Sequence, residues 1–278
     1  MGIHELEDKL FQEWEEHLKQ RIDSETVDNM MCYDGLHYTG IEDNSQGYWK
    51  MKPDNKEEEL WKTAKIRPLF LTKDHNLQGD DGGVDVREET GLRNDTDNVY
   101  YPFYAKYLML LYGITKINPE NGFYPTLEEA KNSGNYLANF YKVPVVRMNL
   151  KKIAGESSCS NDILQDYIEN DIDLIRRQIA LYQPNVIVCC HGAGYAPRWH
   201  KPDNGENPIM TMLKDLYPDM QSVKFKEFES YNLYYSETSN VVIIHEWHPS
   251  KPDISYEDYY SVIPELAKFL QENPNVIR

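Results

Sequence analysis

Asn240-Val-Val-Ile-Ile-His-Glu-Trp-His-Pro-Ser250 decides how this chain is read. β-Branched residues fill its first half, as in a strand buried on both faces. Proline has no backbone N–H to give to a ladder, so the strand ends there and His248 falls at its carboxyl end. In open α/β sheets, ligands bind in the crevice outside those ends. A titratable side chain is thus expected at the edge of a pocket. His245 and His248 stand three apart, which puts them on opposite faces of a strand. The zinc motif needs two histidines four apart on a helix. No metal site is read here, and His245 is assigned to the core.

Three more apolar runs share this character: Ile66-Arg-Pro-Leu-Phe-Leu-Thr72, Val143-Pro-Val-Val-Arg-Met-Asn149 and Pro184-Asn-Val-Ile-Val-Cys-Cys190. Helical patterns alternate with them. Residues 99–113 read as a buried helix ending at Gly113, and 127–141 are weakly helical. Asp162 to Tyr182 is a strong amphipathic helix, with Ile163, Leu164, Tyr167, Ile168, Ile172, Ile175 and Ile179 inward. A short helix is predicted over 208–217, one or two edge strands over Val223–Tyr234, and a closing helix over Tyr256–Gln271. Leu6, Leu10, Phe11, Trp14 and Leu18 recur at helical spacing near the start, whereas 24–60 read as loop with short helix. Strands alternating with helices argue for a parallel sheet covered on both faces. The chain is read as a single α/β domain over 1–278, with residues 1–60 as a helical and loop extension and 61–278 as the core.

Polar groups follow four strand ends: Lys73-Asp74-His75-Asn76, Asn149, His191-Gly192 and His248. If the strands are parallel, these converge on one edge. A carboxylate can activate water, an amide can read a planar base edge, and an imidazole can donate to developing negative charge. Each also has an ordinary structural reading, such as a turn or cap for Asp74 and a strand-to-loop junction for Asn149.

Composition narrows the function classes. The net charge is −17, from 29 basic and 46 acidic residues, which opposes general nucleic-acid affinity. Lys142 to Lys152 contains four basic residues and no acid, and His191 to Lys201 contains Arg198 and Lys201 and no acid. Arg147, Lys151 and Arg198 are therefore the candidates for a locally basic rim facing a nucleobase, nucleotide or DNA. Cys32, Cys159, Cys189 and Cys190 lack CxxC spacing, so they are expected as free thiols in a reducing cytoplasm, with no metal and no cofactor. No apolar run approaches a membrane span, and the N-terminus is not read as a signal peptide. No GxSxG context or phosphate loop is present.

The four strand ends, taken in order, resemble the uracil-DNA glycosylase superfamily over residues 66 to about 270. Leu69-Phe-Leu-Thr-Lys-Asp-His-Asn76 resembles its water-positioning motif, Val145-Val-Arg-Met-Asn149 its base-reading strand, and Val186-Ile-Val-Cys-Cys-His-Gly192 its third strand and turn. Ile243-Ile-His-Glu-Trp-His-Pro-Ser250 is similar to its final His-Pro-Ser motif. The resemblance implies a three-layer α/β/α sandwich with a central, mainly parallel sheet. It also implies hydrolysis of an N-glycosidic bond on a flipped-out base. Asp74 or Asn76 would place the water, Asn149 with His191 would contact the base, and His248 would stabilise the leaving anion. The chain departs from the family in the first motif, which lacks its Gly and Pro, and after Ser250, where Lys-Pro-Asp-Ile-Ser follows. Two other readings stand beside this one. One is a binding or interaction module that keeps the fold without the chemistry. The other is an unrelated doubly wound hydrolase using the same edge.

Overall fold

The structure is a computed structural model that describes residues 1–43, 48–75, 84–88, 92–93, 102–132, 134–135, 142–155, 159–190, 207–226, 228–251 and 253–277. It is a mixed α/β fold built on a seven-stranded sheet. The strands of that sheet, numbered in chain order, are β1 (Gly35–Leu36), β2 (Pro68–Thr72), β3 (Val146–Asn149), β4 (Val186–Cys190), β5 (Gln221–Lys224), β6 (Glu229–Ser236) and β7 (Val241–Glu246). They lie in the order β5-β6-β7-β4-β2-β3-β1. The pairings β7–β4, β4–β2 and β2–β3 are parallel; β5–β6, β6–β7 and β3–β1 are antiparallel.

Alternation along the buried strands sends side chains into two separate cores. Phe70, Val186, Val188, Cys190, Val242 and Ile244 join one cluster. It also takes residues of helices α2 (Pro102–Thr115), α5 (Tyr256–Tyr260) and α6 (Val262–Glu272). Leu69, Leu71, Val146, Met148, Ile187, Cys189 and Ile243 join the other. That cluster is completed from α1 (Ile3–Leu18), α3 (Asn161–Tyr182) and α4 (Pro208–Leu216). The four cysteines are buried free thiols. Among the described residues no helix is long and apolar enough to cross a membrane.

Several elements differ from the sequence expectation for identifiable reasons. Helix α2 runs through Gly113 to Thr115. A Cβ at Gly113 would lie 2.8 Å from the Tyr260 ring and 3.0 Å from Ile263, so this glycine permits close helix packing and is not a stop. The closing helix is two helices broken at Ser261. Pro264, three residues into α6, cannot donate back to Tyr260, which favours the break. Ile163 is 50% exposed, because it lies one 100° step around the helix from the stripe that Leu164 begins.

The region 24–60 is more regular than its composition suggests. It holds a helix at Ser24–Met30, strands at Cys32–Tyr33, Gly40–Asp43 and Tyr48–Lys52, the edge strand β1, and a helix at Lys56–Thr63. Strands this short and polar carry no period that a sequence reading can detect. Helix α1 packs into the core cluster with α3 through Leu10, Phe11, Trp14 and Leu18. It also buries Glu7, whose carboxylate accepts from the Leu36 N–H and the Tyr182 hydroxyl, both at 2.8 Å, and from Arg87 at 3.1 Å.

Candidate functional site

Because β7, β4, β2 and β3 pair in parallel, their carboxyl ends share one edge. Thr72 faces Asn149 across one ladder and Glu246 faces Cys190 across another. With Cys189 opposite Leu71, Cys190 falls next to Thr72. The strands thus end in a transverse row, Glu246–Cys190–Thr72–Asn149, in which all four residues are buried. Neighbouring strands lie about 4.8 Å apart.

Asn149 is held at three of its four polar groups. Its backbone N–H donates to Asp34 Oδ2 at 2.7 Å, and its carbonyl accepts from Lys152 Nζ at 2.7 Å. Its side-chain Oδ1 accepts from the Thr72 hydroxyl at 2.5 Å. Among the described residues the buried Nδ2 has no hydrogen-bond partner, a state that is costly unless something accepts from it. Behind Asn149, Lys152 Nζ donates to both Asp34 oxygens at 2.7 and 2.9 Å, and Gln178 adds a third donor at 2.9 Å. Burial lowers the Lys152 pKa, against the raising effect of Asp34.

The loop after β2 carries Asp74. Its Oδ2 lies 3.2 Å from Lys151 Nζ, which also donates to the Ile153 carbonyl at 2.6 Å and lies 5.5 Å from the Tyr167 ring centre. The loop after β3 folds onto the loop after β2. The Lys151 N–H donates to the Lys73 carbonyl and the Gly155 N–H to the His75 carbonyl, both at 2.9 Å. A Cβ at Gly155 would sit 2.2 Å from Asp74 Oδ2, so only glycine allows this approach.

His248 follows the last residue of β7 by two positions. Its Nδ1 is 2.6 Å from Ser250 Oγ and 3.4 Å from the Ser250 N–H. An amide can only donate, so Nδ1 is the accepting nitrogen and the neutral ring carries its proton on Nε2. The turn is tied down by the Lys251 N–H to the His248 carbonyl (2.9 Å) and by Lys106 Nζ to the Lys251 carbonyl (2.6 Å). The Phe103 ring lies 5.5 Å from the His248 ring, with the Arg147 guanidinium 5.5 Å from Phe103. Burial, then the charges of Lys73 and Arg147, push the His248 pKa down to about 4. Burial and Arg147 do the same to His75, also to about 4.

The edge therefore brings together Asp74, Asn149 and His248 at the ends of three different strands. Asn76, His191 and Arg198 lie outside the described residues. Arg147 is 4% exposed and Lys151 is also buried, so these two are interior groups and contribute no surface charge to a rim. Arg147 alternates into the sheet beside Phe70, and the Lys151 ammonium is used within the loop. His245 is buried beside the Asn207 side chain, 3.2 Å away. Among the described residues no group of three or more His, Cys, Asp or Glu is arranged to hold a metal ion.

Sequence reading missed Thr72, Asp34, Lys152, Lys106, Phe103 and Glu246. Only Lys152 carried a signal, as part of the basic stretch after Asn149. Glu246 is buried, with no partner on Oε1 among the described residues, and burial raises its pKa well above the usual carboxyl range. No protein-family model matches this chain, and no curated protein matches it.

Proposed function

We propose that this chain is a divergent uracil-DNA glycosylase-like hydrolase that cleaves the N-glycosidic bond of a nucleobase. The resemblance would carry with it the three-layer α/β/α organisation and the central, mainly parallel sheet. One observation supports the reading above the others: Asp74, Asn149 and His248 end three strands along one edge, in the order the resemblance requires. In the proposed reaction, Asp74 orients a water and takes its proton as the oxygen bonds to the sugar's anomeric carbon. The bond from that carbon to the base nitrogen breaks, and its electron pair leaves on the base. Asn149 Nδ2 donates to the base edge. Neutral His248 donates from Nε2 to the oxygen on which negative charge develops. An imidazole that stays neutral down to about pH 4 suits that role, because it stabilises the anion without needing to be charged.

The test is base release. The protein is incubated with uracil-containing single- and double-stranded DNA, and with deoxyuridine and its monophosphate. Abasic sites and free uracil are then quantified. Asp74→Asn, Asn149→Ala and His248→Leu should each abolish or sharply reduce release. No release from any of the four substrates by folded protein would overturn the proposal.

A second reading has its own supporting observation. One oxygen of Asp74 is engaged by Lys151, and the acidic chain buries Arg147 and Lys151. Both fit a module that binds a free base or nucleotide without turning it over. Saturable binding with no product would favour it.

A further inference from the structure

Helix α2 grips the turn that carries His248. In His248-Pro249-Ser250-Lys251 the Lys251 N–H donates to the His248 carbonyl at 2.9 Å, and proline at the second position pre-sets the backbone for such a turn. Inside it, Ser250 Oγ engages the imidazole Nδ1 at 2.6 Å. Ring and turn are therefore tied into one body. What fixes that body in the molecule lies on one face of α2, where residues three and four apart stand together. Phe103 meets the His248 ring at 5.5 Å. One turn along, Lys106 Nζ donates to the Lys251 carbonyl at 2.6 Å. Beside it, Tyr107 stacks on Phe103 at 5.7 Å and meets Phe70 of β2 edge-on at 4.7 Å. Through this face the turn is referenced to β2, which leads into Lys73 and Asp74.

We propose that Lys106 is a positioning residue for His248: its ammonium, anchored on α2, holds the turn through the Lys251 carbonyl and so keeps the imidazole on the edge it shares with Asp74 and Asn149. The inference goes beyond the glycosylase reading and rests on it only for the value of His248 to catalysis. Lys106 is 4% exposed, and burial lowers its pKa against the charge of Asp253. Its Nζ lies 6.0 Å from the centres of the Tyr256 and Tyr259 rings. A methionine would pack against those rings without the cost of burying a charge. What the ammonium adds is the directed bond to the turn. Direction matters here, because a donor to a leaving group works only in place; a misplacement of about 1 Å costs on the order of 100-fold in rate.

Lys106→Met, which keeps the apolar stem and removes the donor, tests this by NMR and kinetics together. In the variant the His248 ring should lose its nuclear Overhauser contacts to Phe103. Its pKa should rise from about 4 toward 6.5 as the turn swings out. His75, which is not on this turn, should stay near 4. Base release should fall about 100-fold in kcat with little change in KM. A residue needed only for stability would lower the melting temperature and leave the His248 ring where it was. In wild type the Lys106 ammonium protons should be visible and slow to exchange, a measurement that holds even if Lys106→Met does not fold. Fast exchange of those protons, or an unmoved His248 ring in the folded variant, overturns the role of Lys106 whether or not the protein releases base. A displaced ring in a protein that releases no base upholds Lys106 and overturns the glycosylase reading.

Discussion

Asp34 and Lys152 meet at 2.7 Å with neither side chain exposed to solvent. Asp34 precedes β1 and Lys152 follows β3, at the same end of that antiparallel pair, and between them they bond both backbone polar groups of Asn149. This is a buried ion pair with a specific geometric task.

Removing one partner should be severe. Lys152→Met or Asp34→Leu leaves a buried charge uncompensated, which costs about 3–5 kcal/mol. Removing both should cost less than the sum of the single changes. Urea unfolding of the two single variants and the double variant measures the coupling; additive losses would show that the pair is not coupled.

Gly155→Ala should displace the Asp74 carboxylate. The added methyl would lie 2.2 Å from Asp74 Oδ2 and 3.0 Å from Lys151 Nζ. Overpacking of this kind costs about 1–3 kcal/mol, and base release should fall toward the level of Asp74→Asn. Thermal unfolding paired with the release assay separates the two effects. Wild-type activity in this variant would argue against Asp74 as the catalytic carboxylate.

His248 and His75 should titrate near pH 4 in the folded chain, as read from imidazole resonances. In the unfolded chain they bind protons near 6.5. Between those values the unfolded state holds more protons, so stability must fall as pH drops from about 6.5 toward 4. His248→Gln should flatten part of that slope. A His248 resonance moving near pH 6.5 would refute the neutral-donor assignment.

His4 should act in the opposite sense. Burial works to lower its pKa, but the hydrogen bond and charge of Glu7, with the charge of Glu57, raise it above 6.5 overall. Its ring nitrogens lie 2.7 and 3.0 Å from those two carboxylates. Stabilisation from the imidazolium is complete below 6.5 and is lost as pH rises through the raised folded value. His4→Leu should be less stable than wild type at pH 6, and the gap should narrow as the pH climbs. A gap independent of pH would exclude the charged form.

What the sequence discloses follows from where the information lies. The β7 strand and helix α3 were legible because one carries an apolar run closed by His248-Pro249 and the other a stripe from Leu164 to Ile179; both signals are local. Asp34 was not legible. It sits in a polar stretch that reads as loop, and its partners Asn149, Lys152 and Gln178 are 115 to 144 residues away. Glu7 was hidden for a related reason: an acid on the apolar stripe of α1 looks like a solvated position until Tyr182 and Arg87 arrive beside it. Thr72 was quoted within its strand, but only the register against Asn149 gives its hydroxyl a meaning.

The contacts of helix α1 also set an order of events during synthesis. Glu7 emerges early, and its partner Tyr182 follows 175 residues later; Trp14 waits 157 residues for Asp171. At about 5–20 residues per second, the first helix waits on the order of ten to thirty seconds before the Tyr182 hydroxyl reaches Glu7 and Asp171 reaches the Trp14 indole. A ribosome pausing before helix α3 would therefore hold an exposed Phe11–Trp14 surface open to chaperones, and helix α1 completes its packing only after the much later helix α3 has been made.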